Sequence, residues 1–100
     1  MTLDDYEKMI ETRTRVFARS RGRCEVCGQA IVPWSFQLAH RIPQRKHFLK
    51  KYGEEVIHHE KNLAAVCSLK CNDAVSIAQR PKDIEALVEE ILGGELCETH

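Results

Sequence analysis

Hydrophobic positions recur at helical spacing near both ends of the chain and lose that period between them. Tyr6, Met9, Ile10, Val16 and Phe17 share such a spacing, which predicts a helix from about Leu3 to Ser20, ending near Gly22. Arg13 interrupts the face, but its aliphatic stem can lie along a core while its head reaches water. Thr2 suits the N-cap, with Asp5 three residues on and acids in the first turn. Near the other end, Ile84, Leu87, Val88, Ile91 and Leu92 form an i, i+3, i+4, i+7, i+8 stripe. Pro81 fits the start of that helix, and Gly93 and Gly94 its stop. In the middle, "IVPWSFQLAHRI" has strand-forming residues, with Pro33 delaying the strand to about Ser35. "NLAAVC" reads as a second short strand and "SLKCNDAVSIAQR" as a helix. "PQRKHFLKKYGEE" reads as a basic surface loop with one helical turn. The expected class is α+β, with helices at both ends of a small core.

A chain of 100 residues is the size of one domain. It would bury about 60–70% of its unfolded surface, a margin that a metal or cross-link would strengthen. Formal net charge is zero, yet the charges are segregated. Arg13 to Lys51 contains ten Lys or Arg and one acid, Glu25; Asp83 to the end contains six acids and no Lys or Arg. A basic stretch is a footprint for phosphates, or else a solvated face neutralised by the acidic C-terminal helix. No apolar run approaches 18 residues, and "MTLDDYEKMI" lacks a secretory h-region, so a cytoplasmic chain with reduced thiols and no membrane partner is expected.

Reduced cysteines in clusters read as metal ligands. Cys24 and Cys27 are separated by two residues, and Cys67 and Cys71 by three, which sets the second pair one helical turn apart. A tetrahedral Zn²⁺ with four thiolates follows, and a closed four-sulfur site leaves no position for substrate, so this ion is structural. Cys97 has no partner spacing and reads as a spare thiol.

Between the two pairs lie "LAHRIP", with His40 at the end of the first strand, and "NL", with Asn62 entering the second; "CND" then sets Asn72 directly after the last cysteine. This order resembles the HNH endonuclease family, over Arg23 to about Ile77, and is similar to a bacterial and phage-type variant with "AHRI" and "CND". The resemblance implies a ββα-metal core, two antiparallel strands and a helix around a catalytic divalent ion, with a separate zinc. Residues 1–22 would then be an N-terminal helix, 23–79 the zinc-bound core, and 80–100 an acidic helix and tail of one domain. It also implies roles: His40 as general base, Asn62 as the residue that orients the region, and Asn72 as a ligand of Mg²⁺ or another divalent ion. The chemistry is coherent, because a neutral His can accept a proton from water and an oxygen-bound ion can neutralise a leaving oxygen.

The family pattern has a metal ligand immediately before the strand histidine, where this chain has Ala39. His58, His59, Asp73 and Gln37 are candidate replacements. The doublet His58–His59 has three readings: it binds the ion or the scissile phosphate, it caps the loop, or it is simply exposed. His59, nearer the strand entry, is the preferred catalytic and ion-binding member. Trp34 and Phe36 could stack on bases, but packing against the cysteine knuckle is favoured. His47, set among Lys and Arg, reads as a phosphate contact or as nothing, and His100 as an unstructured terminus. Arg41, Arg45, Lys46, Lys50 and Lys51 are the expected nucleic-acid contacts, acting through phosphates and so with weak sequence preference on double-stranded DNA. A homodimer would let two sites address two strands.

The leading expectation is therefore a DNA endonuclease. The alternative, motivated by Ala39, is a zinc-stabilised nucleic-acid-binding module without catalysis. A third is an interaction domain in which the acidic helix recruits a protein.

Overall fold

The computed structural model describes residues 2–97. The expectations for Cys97 as a spare thiol and for His100 fall outside the side chains it describes. Its elements run α1 (Leu3–Ser20), β1 (Gln37–His40), α2 (Lys46–Tyr52), α3 (Glu54–Ile57), a 3₁₀ turn (Glu60–Asn62), β2 (Leu63–Val66), α4 (Leu69–Val75) and α5 (Pro81–Cys97). The class is α+β, with one two-stranded antiparallel sheet among the described residues. No helix among them is long and apolar enough to cross a membrane.

Helix α1 begins with the expected cap. Thr2 Oγ1 accepts from the Asp5 N–H at 3.2 Å, and Asp5 Oδ2 accepts from the Thr2 N–H at 3.4 Å. It ends at Arg21, held left-handed at φ 59°, followed by Gly22 at φ 72°. Only the C-terminal half meets the core. Val16 is fully buried and Phe17 packs beside it, whereas Leu3, Tyr6, Met9 and Ile10 are exposed. The sheet is too small to cover an 18-residue helix, so the apolar period of its first half has no partner surface among the described residues. Arg13 does more than reach water: its guanidinium lies 3.8 Å from the Phe36 ring centroid and donates to the Phe36 carbonyl at 2.6 Å.

β1 and β2 pair in the register Gln37↔Val66, Leu38↔Ala65, Ala39↔Ala64 and His40↔Leu63. β1 starts two residues later than expected because Val32 and Ser35 bridge around Pro33 and Trp34. Trp34 sits at the tip of that turn, 81% exposed, and does not pack on the knuckle. Alternation sorts the sheet's side chains. Leu63 and Ala65 join Val16 and Phe36 beneath α1, while Ala39, Ala64 and Val66 join Cys24 and Cys71.

The basic middle segment is not a loop. It folds into α2 and α3, broken by Gly53 at φ 85°. Phe48, Val56 and Ile57 point inward and join Ile42, Ile77, Ile84, Leu87 and Ile91 in the largest core cluster. The charges between those positions hid their helical period. α4 is shorter than expected: Ser76 turns extended, and the Ile77 N–H donates to the Arg41 carbonyl at 2.8 Å. α5 is longer, running through Gly93 and Gly94 to Cys97.

Asn62 joins these parts. It is the buried polar residue of the described chain, at 0% exposure. Its Oδ1 accepts from the Ile42 N–H at 2.8 Å, and its Nδ2 donates to the carbonyls of Ile42 at 3.1 Å and Ile57 at 2.8 Å. No buried side-chain nitrogen or oxygen among the described residues lacks a partner. Asn62→Ala would orphan one amide and two carbonyls. At about 1–3 kcal/mol per buried unsatisfied group, urea unfolding should show a loss of roughly 3 kcal/mol or more. A loss below about 1 kcal/mol would mean that water replaces the carboxamide without cost.

Candidate metal centre and histidine cleft

The cysteines come from two turns brought together by the sheet. In the first, the Cys24 N–H donates to the Gln29 carbonyl at 2.8 Å, and the Gly28 N–H to the Cys24 carbonyl at 2.9 Å, with Gly28 at φ 79°. Glu25 ties this turn to β2: its N–H donates to the Ala65 carbonyl at 2.8 Å, and its carboxylate accepts the Ala65 N–H at 2.6 Å and a bidentate Arg19 pair. In the second turn Ser68 caps α4, its hydroxyl accepting from the Cys71 N–H at 3.4 Å. Cys67 precedes that cap, so the second pair spans a helix entry rather than one helical face.

All four Sγ atoms lie within 4.8 Å of one another, and none is in a disulfide. Cys27 and Cys67 are 3.5 Å apart, and Cys67 and Cys71 3.8 Å. Metal–sulfur bonds of about 2.3 Å at the tetrahedral angle would separate two sulfurs by about 3.8 Å, so the cluster already has the size of a tetrahedral thiolate site. Its electrostatics favour a cation. Burial alone would raise the Cys24 thiol, but the N–H groups of Cys27, Val26 and Cys67 outweigh it and bring Cys24 to about 6. Cys67 is pushed up to about 12, chiefly by its contact with Cys27. Cys71 is also raised, the Ser68 hydroxyl opposing burial and Cys24. Cys24 ionises readily while Cys67 and Cys71 hold their protons; a divalent ion would remove that conflict. Four cysteines here can hold a metal.

A second set of groups gathers where β1 ends. His40 Nε2 lies 3.2 Å from His58 Nδ1, with the rings edge to face. The Gln44 amide nitrogen is 3.1 Å from both ring nitrogens of His40. Burial, and then the charge of His58, push His40 down to about 4, so the ring is neutral at pH 7. His40 opens on a cleft of about 870 Å³ that is also lined by Asn72, Asp73, Arg45 and Arg80. Asn72 Nδ2 donates to Gln37 Oε1 at 3.3 Å.

His40 and Asn72 thus share one cleft, and Asn62 stands behind it as a main-chain clamp. His59 does not join them: its Nδ1 accepts from the Lys61 N–H at 3.1 Å and caps the 3₁₀ turn. Its neighbour His58 meets His40 instead. Ala39 is fully buried against the cysteine side of the sheet, and Gln37, two residues earlier on the same face, is the group that reaches Asn72. The basic residues divide. Arg45 lines the cleft together with Arg80, which no motif in the sequence marks. Arg41 lines a separate hollow with Arg19, Glu25 and Lys61. Lys46, Lys50 and Lys51 lie exposed on α2, Lys51 Nζ being 5.3 Å from the Tyr52 ring centroid. No family model matches the chain, and no curated protein or solved structure matches it.

Two measurements check this description. Cobalt(II) added to the reduced protein should give the sulfur-to-metal charge-transfer band of a four-thiolate complex at one equivalent, weakened in Cys71→Ser. An NMR titration should find the His40 ring neutral down to about pH 4. His58→Ala should raise the midpoint only partly toward 6.5, since burial is the larger cause. Between 6.5 and about 4 the unfolded chain takes up a proton that folded His40 refuses, so this group's contribution to stability is full above that window and lost as pH falls through it.

Proposed function

We propose that the chain is an HNH-type endonuclease that hydrolyses DNA phosphodiesters, with Zn²⁺ as a structural cross-link on Cys24, Cys27, Cys67 and Cys71. The observation that carries the reading is the meeting of His40 and Asn72, 32 positions apart in sequence, on one cleft beside the cysteine cluster. Neutral His40 is the base that takes a proton from water. Its depressed pKa makes it weak in the free protein, but the negative charge of an arriving phosphodiester raises it in the complex. Asn62 holds the main chain at Ile42 and Ile57, close behind His40 and ahead of His58. The oxygens of Asn72 and Asp73 are hard donors suited to Mg²⁺ or Mn²⁺, which when bound would neutralise charge on the leaving oxygen. Arg45 and Arg80 contact phosphates flanking the scissile one, a contact without sequence information.

A second reading, a nucleic-acid-binding module without catalysis, is favoured by buried Ala39, which offers no donor where the family pattern has a ligand. Plasmid nicking in Mg²⁺ or Mn²⁺ separates the two. The nuclease reading expects cleavage that falls by about 10²–10⁴-fold in His40→Ala, the usual size of a general-base contribution. Undiminished cleavage in that variant removes His40 from the mechanism. Salt-sensitive DNA retention without cleavage under either metal favours the binding module.

A further inference from the structure

The two histidines at the mouth of the cleft have the spacing of a chelate. His40 Nε2 and His58 Nδ1 are 3.2 Å apart, their ring centroids 5.3 Å, and their planes 79°. Metal–nitrogen bonds of about 2.0–2.1 Å meeting at the tetrahedral angle hold two imidazole nitrogens about 3.3 Å apart and the centroids about 5.2 Å apart. Both separations fit an ion seated between the rings. The main chain already holds them there. His40 is paired across the sheet to Leu63, the His58 N–H donates to the Glu54 carbonyl at 2.8 Å, and the Asn62 carboxamide clamps Ile42, two residues after His40, and Ile57, immediately before His58. His58 is exposed, which gives an ion its route in.

We propose that His40 and His58 form a site for a borderline transition ion such as Zn²⁺, distinct from the four-cysteine cluster, and that occupation of this site silences the cleft. Imidazole suits Zn²⁺, Ni²⁺ and Cu²⁺, whereas Mg²⁺ prefers oxygen and keeps its waters. Water completes the coordination, and the Gln44 carboxamide beside His40 can turn its oxygen inward as a weaker donor. The binding site stands on geometry alone. The silencing rests on the nuclease reading, because an ion on His40 Nε2 occupies the lone pair and removes the ring as a base.

Zn²⁺ titration by calorimetry, on protein whose cysteine cluster already holds one equivalent, tests the site. One further equivalent should bind, roughly ten-fold or more weakly in His58→Ala and in His40→Ala, where a chelate becomes a single imidazole. His47→Ala should bind it unchanged. The His58 side chain is exposed, and its hydrogen bond among the described residues is to His40, so that variant should retain its first zinc. Absence of a second equivalent, or an affinity in either variant equal to the parent's, overturns the site. In the nicking assay with Mg²⁺, excess Zn²⁺ should inhibit the parent protein and spare His58→Ala; equal inhibition of both overturns the silencing. A parent that cleaves under no condition overturns the nuclease reading and the silencing with it, while the calorimetric result still decides the site.

Discussion

The Asn62 carboxamide bonds three main-chain groups, two of them on Ile42 and one on Ile57. Those residues flank the two histidines: Ile42 lies two positions after His40, and Ile57 immediately before His58. The strand exit and the end of α3 also meet in the main core cluster, where Ile42, Val56 and Ile57 pack together. A hydrogen-bonded amide buried among isoleucines is worth most where nothing else can pair with the same groups, since the alternative is an unsatisfied backbone in a dry place. One side chain thus ties together the two segments that carry the imidazoles.

The cysteine cluster performs the matching task on the other face of β1. The small side chains Ala39 and Ala64 let the two cysteine turns approach the sheet closely, and Glu25 stitches the first turn to β2 through main-chain and side-chain bonds at once. Ala39 has two consequences. Its methyl group fits the packing beside the sulfurs, and it offers Asn72 no polar contact, which Gln37 supplies from two residues earlier.

Much of this was legible in residue patterns whose physics is local. The bounds of α1 followed from a capping box and a helical period, the place of the two strands from short apolar runs, and the cysteine cluster from paired spacings that few structures other than a metal site need. What was hidden depended on partners distant in sequence. Nothing in α1 itself distinguishes Val16, which meets the sheet, from Tyr6 or Ile10, which meet solvent. The helices α2 and α3 were obscured because Phe48, Val56 and Ile57 are spaced among lysines and glutamates, so the segment read as a charged loop. Choosing between His58 and His59 needed the geometry of the 3₁₀ turn: one of two adjacent side chains caps that turn and the other faces His40. Arg80 came to the cleft only because α4 ends early and the chain doubles back along the exit of β1.

The outer half of α1 makes little contact with the remainder of the molecule, yet it carries its own cap and acids matched to its dipole. Such a helix can remain formed without tertiary support in its outer turns. Leu3 to Glu11 then acts as a stiff post of about 13 Å, at about 1.5 Å per residue, anchored through Val16 and Phe17. The apolar stripe of that post is thereby presented at a set distance from the sheet.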